Sequence, residues 1–279
     1  MSMTDQFAVF GHPIAHSRSP WIHAQFAQAS GIEMHYFAID TPPQQFHEAL
    51  FDFAEAGGRG ANITLPLKEL AAAACAELSE CAARAGAVNT LIALPDRRWR
   101  GDNTDGLGLM ADLKRLNITV QNQRVLVLGA GGSVRGILMP LLDASPQSVV
   151  IANRSYPRAA ALRAEFCTLG RIGAVTWESL DSSLPFDLVI HATAAYRGDA
   201  APALPAAIFR PDTVVYDLSY GIAANGFLSA AANLGVKVRH DGLGMLVEQA
   251  AESFSRWHRV RPDTAPVLAE LRALVELGT

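Results

Sequence analysis

The sequence is poor in cysteine. Cys75, Cys81 and Cys167 are the only three in 279 residues, an odd number with no metal-ligand spacing. That excludes a disulfide scaffold, argues against a zinc site and suits reduced thiols in a cytoplasmic protein. Cys75 and Cys81 fall in an Ala-rich stretch that reads as one helix, with both thiols as packing residues. Long apolar runs are lacking too: none approaches the roughly 18 residues of a membrane span. The polar start, Met1 to Gln6, leads into a strand-like Phe7 to Phe10 and shows no secretory leader. There is no excess of basic charge. Lys and Arg number 23 against 27 Asp and Glu, a net charge of −4, which leaves no nucleic-acid footprint. Repeats, low-complexity tracts and long linkers are also missing. A chain of this length, half of it hydrophobic, has material for about two cores. The expected partner is a small molecule, and the chain is expected to be a monomer or a homodimer.

The organising stretch is Gln123 to Gly136. Val125 to Leu128 is a short apolar run of the buried-strand kind, Gly129 stops it, and a helix-compatible segment runs from Ser133 to Leu142. Strand, glycine turn and helix gather backbone N–H groups and the positive end of a helix dipole around one point, which suits a pyrophosphate. Side chains at Gly129, Gly131 or Gly132 would obstruct it, and Ala130 and Ser133 complete the turn. The last position of the G-x-G-x-x-G pattern is Val134, so the fingerprint is imperfect.

The next strand, Ser148 to Ala152, ends in Asn153-Arg154-Ser155. An NAD site usually places a carboxylate here to hold the ribose 2′-hydroxyl. This chain has no acid there. It has Arg154 and Arg158, about 25 residues after Gly129, beside Asn153 and Ser155. Guanidinium groups pair with a 2′-phosphate that a carboxylate would repel, so the cofactor reads as NADP(H).

Along the chain, strands are expected at Phe7–Phe10, Tyr36–Ile39, Gly60–Pro66 and Ala87–Ile92. Helices are expected at Pro20–Ala29, Gln44–Ala56 and from Leu67 onward, with Glu80 near the end of that last helical region. Ser19 before Pro20 reads as a helix cap, and Ser17 is not needed for capping. Lys68 stands in a first helical turn, against the helix dipole. Asn89 interrupts an apolar strand and must find partners if buried. Asp96-Arg97-Arg98 reads as a turn, and Thr104 or Asp105 as the cap of a helix over Leu107–Leu116. Further strands are expected at Val125–Leu128, Val149–Ala152, Ala174–Trp177, Leu188–His191, Thr213–Asp217 and Val236–Arg239. Helices follow over Met245–Val260 and Ala265–Leu277. The alternation predicts an α/β chain of two domains: an N-terminal α/β substrate domain and a Rossmann-like NADP-binding domain, with the C-terminal helices packing back on the first. The boundaries are set at 1–105 plus 245–279 and at 106–244.

Seven segments in order, Gly11–Pro20, Gly60–Lys68, Gly86–Thr90, Gly101–Gly106, Gly129–Gly136, Asn153–Ser155 and Asp241–Gln249, together resemble shikimate dehydrogenases. The resemblance spans nearly the whole chain. It implies reversible NADPH-dependent reduction of 3-dehydroshikimate to shikimate in aromatic amino acid biosynthesis. It also implies Lys68 and Asp105 as the catalytic pair, and Ser17, Ser19, Thr64, Asn89, Tyr220 and Gln249 around the substrate. The cofactor would be held by Gly129 to Ser133, Asn153, Arg154, Ser155 and Arg158. Leu218 and Gly242 would line the nicotinamide end, and Glu80 would stand on the cofactor side. The chemistry agrees: Lys68 can give a proton to the substrate oxygen and take it back, with Asp105 orienting it. The sequence departs from the family pattern at His12, at His191-Ala-Thr-Ala-Ala195 and around Tyr220–Asn225. Two other readings are a quinate/shikimate dehydrogenase using NAD or both cofactors, and a catalytically silent NADP-binding regulator.

Overall fold

The structure, a computed structural model, describes residues 4–193 and 204–277. The chain forms two compact units: Met1–Gly108 with Val247–Leu271, and Leu109–Leu246 with Arg272–Thr279.

The first unit is built on strands β1 (Asp5–Gly11), β2 (Met34–Asp40), β3 (Gly58–Ile63), β4 (Glu77–Leu78), β5 (Thr90–Ala93) and β6 (Trp99–Asp102). They form one sheet in the order β2-β1-β3-β5-β6-β4. β1 runs parallel to β2 and β3, while β5 is antiparallel to both β3 and β6. Its helices are α1 (Ser19–Ser30), α2 (Phe46–Glu55), α3 (Lys68–Ala74) and α4 (Glu80–Ala85). Phe10, Phe46, Phe53, Ile63, Leu67 and Trp99 fill one face of the sheet. Two further helices, α5 (Asp105–Arg115) and α9 (Leu243–His258), each have residues in both units. α9 returns to the first sheet as expected: Trp257 Nε1 donates to the Leu91 carbonyl at 2.9 Å.

The second unit holds β7 (Arg124–Leu128), β8 (Ser148–Ala152), β9 (Ile172–Val175), β10 (Leu188–His191), β11 (Val214–Asp217) and β12 (Val238–His240). All pair in parallel, in the order β12-β11-β10-β7-β8-β9. This is the doubly wound order in which the connections reverse direction at β7, the strand that carries the glycine turn. Helices α6 (Gly132–Asp143), α7 (Tyr156–Phe166) and α8 (Ile222–Asn233) connect the strands, and α10 (Ala265–Glu276) follows α9.

Several local expectations are corrected. Ser19 is not the cap of α1. Arg18 already has helical backbone angles, and it is the Ser17 hydroxyl that accepts from the Ser19 N–H at 3.3 Å. The helical region after Leu67 is two helices, because Cys75 turns extended (ψ 139) and β4 intervenes. Glu80 therefore opens α4, behind the Ser79 cap, and Cys75 and Cys81 do not share a helix. β6 follows the turn at Asp96–Arg98 and was not expected; it is four residues long and ends in polar Asp102. β9 begins two residues earlier than expected, and β12 begins two later.

Candidate active site

Three short elements end at one place in the first unit. Lys68 is the first residue of α3, Asp105 the first of α5, and Asn89 lies just before β5. Asn89 is pinned by its backbone: its N–H donates to the Asp102 carbonyl at 3.1 Å, and its carbonyl accepts from Ile63 N–H at 2.9 Å. The Lys68 ammonium pairs with Asp105 Oδ2, and both side chains are about nine-tenths buried (11% and 8% exposed). The other carboxylate oxygen accepts from Asn89 Nδ2 at 2.7 Å. That nitrogen also lies 3.2 Å from Gln249 Oε1, on α9. Burying an ion pair is costly unless its remaining lone pairs find donors, and here both Asp105 oxygens are served.

Asp105 does not cap α5. The Thr104 carbonyl accepts the Gly108 N–H at 2.9 Å, and Asn103 Oδ1 accepts from the Asp105 N–H at 3.2 Å. The carboxylate is thereby left for the ammonium.

Behind these groups lies a buried polar chain that pattern reading missed. Thr90 Oγ1 donates to Asn89 Oδ1 at 2.9 Å and lies 2.8 Å from Ser253 Oγ. Asn62 Nδ2 donates to Ser253 Oγ at 2.8 Å, and Asn62 Oδ1 receives the Tyr36 hydroxyl at 2.7 Å and faces His23 Nε2 at 3.1 Å. His23 is stacked on Tyr36, and burial pulls its pKa down to about 3. Burial also raises the Tyr36 phenol. The one available signal was Asn62, an amide between apolar Ala61 and Ile63 in β3, which must be paired if buried. Asp102 steadies the loop into α5. Burial pushes its carboxyl up, but the Ser79 hydroxyl at 2.5 Å and Arg256 at 2.9 Å hold it below the usual carboxylate range.

Ser17, Ser19 and Thr64 follow the parallel neighbours β1 and β3. The two loops are joined where His12 N–H donates to the Leu65 carbonyl at 3.1 Å and Thr64 N–H to the Phe10 carbonyl at 2.9 Å. Thr64 and Ser17 are half-buried, and Ser19 is buried. The fold thus sets Ser17 and Thr64 on loops, and Ser19 at the start of α1, at one sheet edge, and joins Lys68, Asn89, Asp105 and Gln249 by hydrogen bonds. Tyr220 belongs to the second unit, just past β11. Glu80 is exposed in the first unit, its carboxylate 4.0 Å from Arg84 Nη2.

In the second unit the glycine turn has the geometry a dinucleotide needs. Gly129 has φ +122, and a Cβ there would fall 2.9 Å from the Ala192 carbonyl. At Gly131 and Gly132 a Cβ would meet nothing within 4 Å, so the chain's own packing does not demand glycine at either position. Gly131 immediately precedes α6, whose first N–H groups have no acceptor within the helix. Ala130 and Ser133 are half-buried beside it. Asn153 Nδ2 donates to the Ser155 carbonyl at 3.0 Å, which fixes the turn after β8. Arg154 and Arg158 are exposed. On the other side of β7, Leu218 N–H donates to the His191 carbonyl at 2.9 Å, and Gly242 N–H to the Ser219 carbonyl at 2.8 Å. Gly242 leaves no room for a side chain beside the Leu218 carbonyl. Ala194 and Ala195 lie outside the described residues.

Family models match in sequence order: a shikimate dehydrogenase substrate binding domain over residues 9–91, a shikimate/quinate 5-dehydrogenase over 112–198, and a shikimate 5′-dehydrogenase C-terminal domain over 242–272. A shikimate dehydrogenase (NADP(+)) of Xanthomonas oryzae is 50% identical over 96% of this chain and 95% of its own length. The chain belongs to the shikimate dehydrogenase family. The shikimate dehydrogenase (NADP(+)) of Aeromonas hydrophila is 45% identical over 99% of both chains. Among solved structures, an Ael1 enzyme from Pseudomonas putida superposes with a TM-score of 0.89 at 42% identity, covering 96% of this chain and 98% of that one. Shikimate 5-dehydrogenase from Thermus thermophilus, in complex with NADP(H) and shikimate, gives 0.86 at 36% identity over 97% and 99%. The family implied by the sequence segments is thus confirmed across both units of this shikimate dehydrogenase family member.

Proposed function

We propose that this chain catalyses the reversible NADPH-dependent reduction of 3-dehydroshikimate to shikimate, in aromatic amino acid biosynthesis. The observation that carries this reading is the buried Lys68–Asp105 pair, with Asn89 on the second carboxylate oxygen. Bound NADPH supplies hydride from nicotinamide C4 to substrate C3. Lys68, as an ammonium, delivers the proton to the oxygen on C3, and in the oxidative direction takes it back as an amine. Asp105 holds Nζ in place and stabilises its charge, while Asn89 keeps the carboxylate from rotating. Ser17, Ser19, Thr64, Asn89, Gln249 and Tyr220 hold the substrate's hydroxyls and carboxylate.

Gly129 to Ser133 take the pyrophosphate, with Arg154 and Arg158 on the 2′-phosphate and Asn153 and Ser155 beside them. Leu218 and Gly242 line the nicotinamide end, and Glu80 stands on the cofactor side. The fit rests on the uncrowded positions at Gly131 and Gly132 and on the absence of a carboxylate after β8. The protein acts as a monomer or homodimer in the cytoplasm; among the described residues no helix is long and apolar enough to cross a membrane.

The test is absorbance at 340 nm with shikimate or quinate against NADP or NAD. Turnover of shikimate with NADP, and a kcat/KM for NADPH above that for NADH, is expected. NADP binding without turnover of shikimate would refute the assignment.

A further inference from the structure

Asp102 ends β6, opposite Thr90 in register, and immediately precedes the segment Asn103 to Asp105. Its backbone carbonyl takes the Asn89 N–H at 3.1 Å. Its carboxylate, with the side chain only 11% exposed, is held from three directions. The Ser79 hydroxyl at 2.5 Å and the Asn103 N–H at 2.8 Å donate to Oδ1. Arg256 Nε, in the last turn of α9, donates to Oδ2 at 2.9 Å.

The fastening continues inward. Asn103 Nδ2 donates to the Ala87 carbonyl at 2.9 Å, and Asn103 Oδ1 accepts from the Asp105 N–H at 3.2 Å. Thr104 N–H donates to Asn89 Oδ1 at 2.8 Å. A run of hydrogen bonds therefore leads from the Arg256 guanidinium through Asp102 and Asn103 to the backbone of Asp105, whose carboxylate holds Lys68.

The guanidinium does more in this run than fill space. Burial pushes the Asp102 carboxyl up, while Ser79 and Arg256 pull it below the usual carboxylate range. Without its cation a carboxylate in such a place takes up a proton more readily. An ionised carboxylate accepts at both oxygens, but a protonated one must donate from one of them. Ser79, Asn103 and Arg256 could not then all be served. The other charged or titratable groups beside Arg256 are Glu252, with Oε2 at 3.8 Å from Nη1, and Cys81. Arg261 pairs with Glu248 and Glu252 instead.

Resting on the proton-transfer reading above, we propose that Arg256 is a positioning residue for that transfer: by holding Asp102 it fixes the Asn103–Asp105 segment, and with it the carboxylate that orients Lys68.

The test is steady-state kinetics of the whole protein with shikimate and NADP across pH, beside melting curves. Arg256→Leu should lower kcat about threefold to tenfold, the worth of one hydrogen bond. The acid side of its kcat profile should move to higher pH, because Asp102 has lost its cation. Arg256→Lys keeps the charge and should recover most of both. Arg261→Leu breaks the pairs with Glu248 and Glu252; it should leave kcat and its pH profile unchanged even if it melts earlier. In an Asp102→Asn background, Arg256→Leu should add no further loss and no movement of the profile, because both act through one carboxylate. Arg256 is 39% exposed, so its own variants decide the matter even if Asp102→Asn fails to fold. Unchanged kcat in Arg256→Leu would overturn the proposal. So would an equal fall in Arg261→Leu, which would mean that lost helix stability is what the kinetics feel. A wild-type protein that binds NADP without turning over shikimate would instead overturn the reaction reading beneath it.

Discussion

Asn89 Nδ2 sits 2.7 Å from Asp105 Oδ1, on the carboxylate oxygen that the Lys68 ammonium does not use. One amide thus determines how the carboxylate faces the lysine. Asn89→Ala is expected to lower kcat about tenfold to a hundredfold, the scale on which loss of a hydrogen bond to a buried charged group is felt (about 1.5–3 kcal/mol). Steady-state kinetics of the purified variant decides this. A kcat within twofold of wild type would show that Asp105 is held without it.

Lys68→Ala should reduce turnover by about two to four orders of magnitude, the usual contribution of a positioned acid–base group. The KM for shikimate should change little. A variant with near-normal turnover would remove Lys68 from the chemistry.

Gly131 and Gly129 separate ligand binding from folding. A Cβ at Gly131 meets nothing within 4 Å. Gly131→Ala should leave thermal stability within about 0.5 kcal/mol of wild type, as for a substitution without contacts, while weakening NADP+ severalfold or more. Gly129→Ala should destabilise, because φ is +122 and its Cβ would press on the Ala192 carbonyl. Paired melting curves and titrations would show the contrast. Equal loss of stability in both variants would contradict it.

Arg154 and Arg158 stand in a segment, Asn153 to Arg158, that contains no Asp or Glu. Arg154→Ala should raise the KM for NADPH by about tenfold or more, as for loss of a charge-assisted bond of about 1.5–3 kcal/mol, and leave NADH unchanged. Arg154 has no role if both coenzymes lose affinity equally.

His23 gives the fold a pH dependence. Its folded pKa, about 3, lies below the ordinary value of 6.5, so between these values the unfolded chain binds the proton more readily. The stability it contributes is full above pH 6.5 and is lost as pH falls through that window, by up to about 1.4 kcal/mol per pH unit. His23→Phe keeps a ring against Tyr36 and should flatten that part of the melting-temperature profile between pH 6.5 and 4. An unchanged slope would place the titrating group elsewhere.

The second sheet was the most legible part of the sequence, because fully buried parallel strands read as apolar runs and Gly129 punctuates the first of them. β4 and β6 escaped detection, since two and four residues carry no periodicity and their pairing is decided by partners elsewhere in the sheet. Lys68 was conspicuous because a lysine at a helix start opposes the dipole. Its partner was legible only through the family resemblance, since a local cap was the simpler role for Asp105. Ser253 gave no signal: a serine in an amphipathic helix is ordinary until a fold buries it against Thr90 and Asn62. His191 stood out only as a departure from the family pattern.

The Ser253 hydroxyl joins Asn62 and Thr90 across 191 and 163 residues of chain. During synthesis the strands bearing those two side chains leave the ribosome long before the helix that completes them. Until then Asn62 and Thr90 have Tyr36, His23 and Asn89 for partners but lack the hydroxyl that joins them. The polar chain behind Lys68 and Asp105 is therefore complete only once α9 has docked, although most of its sequence is made first.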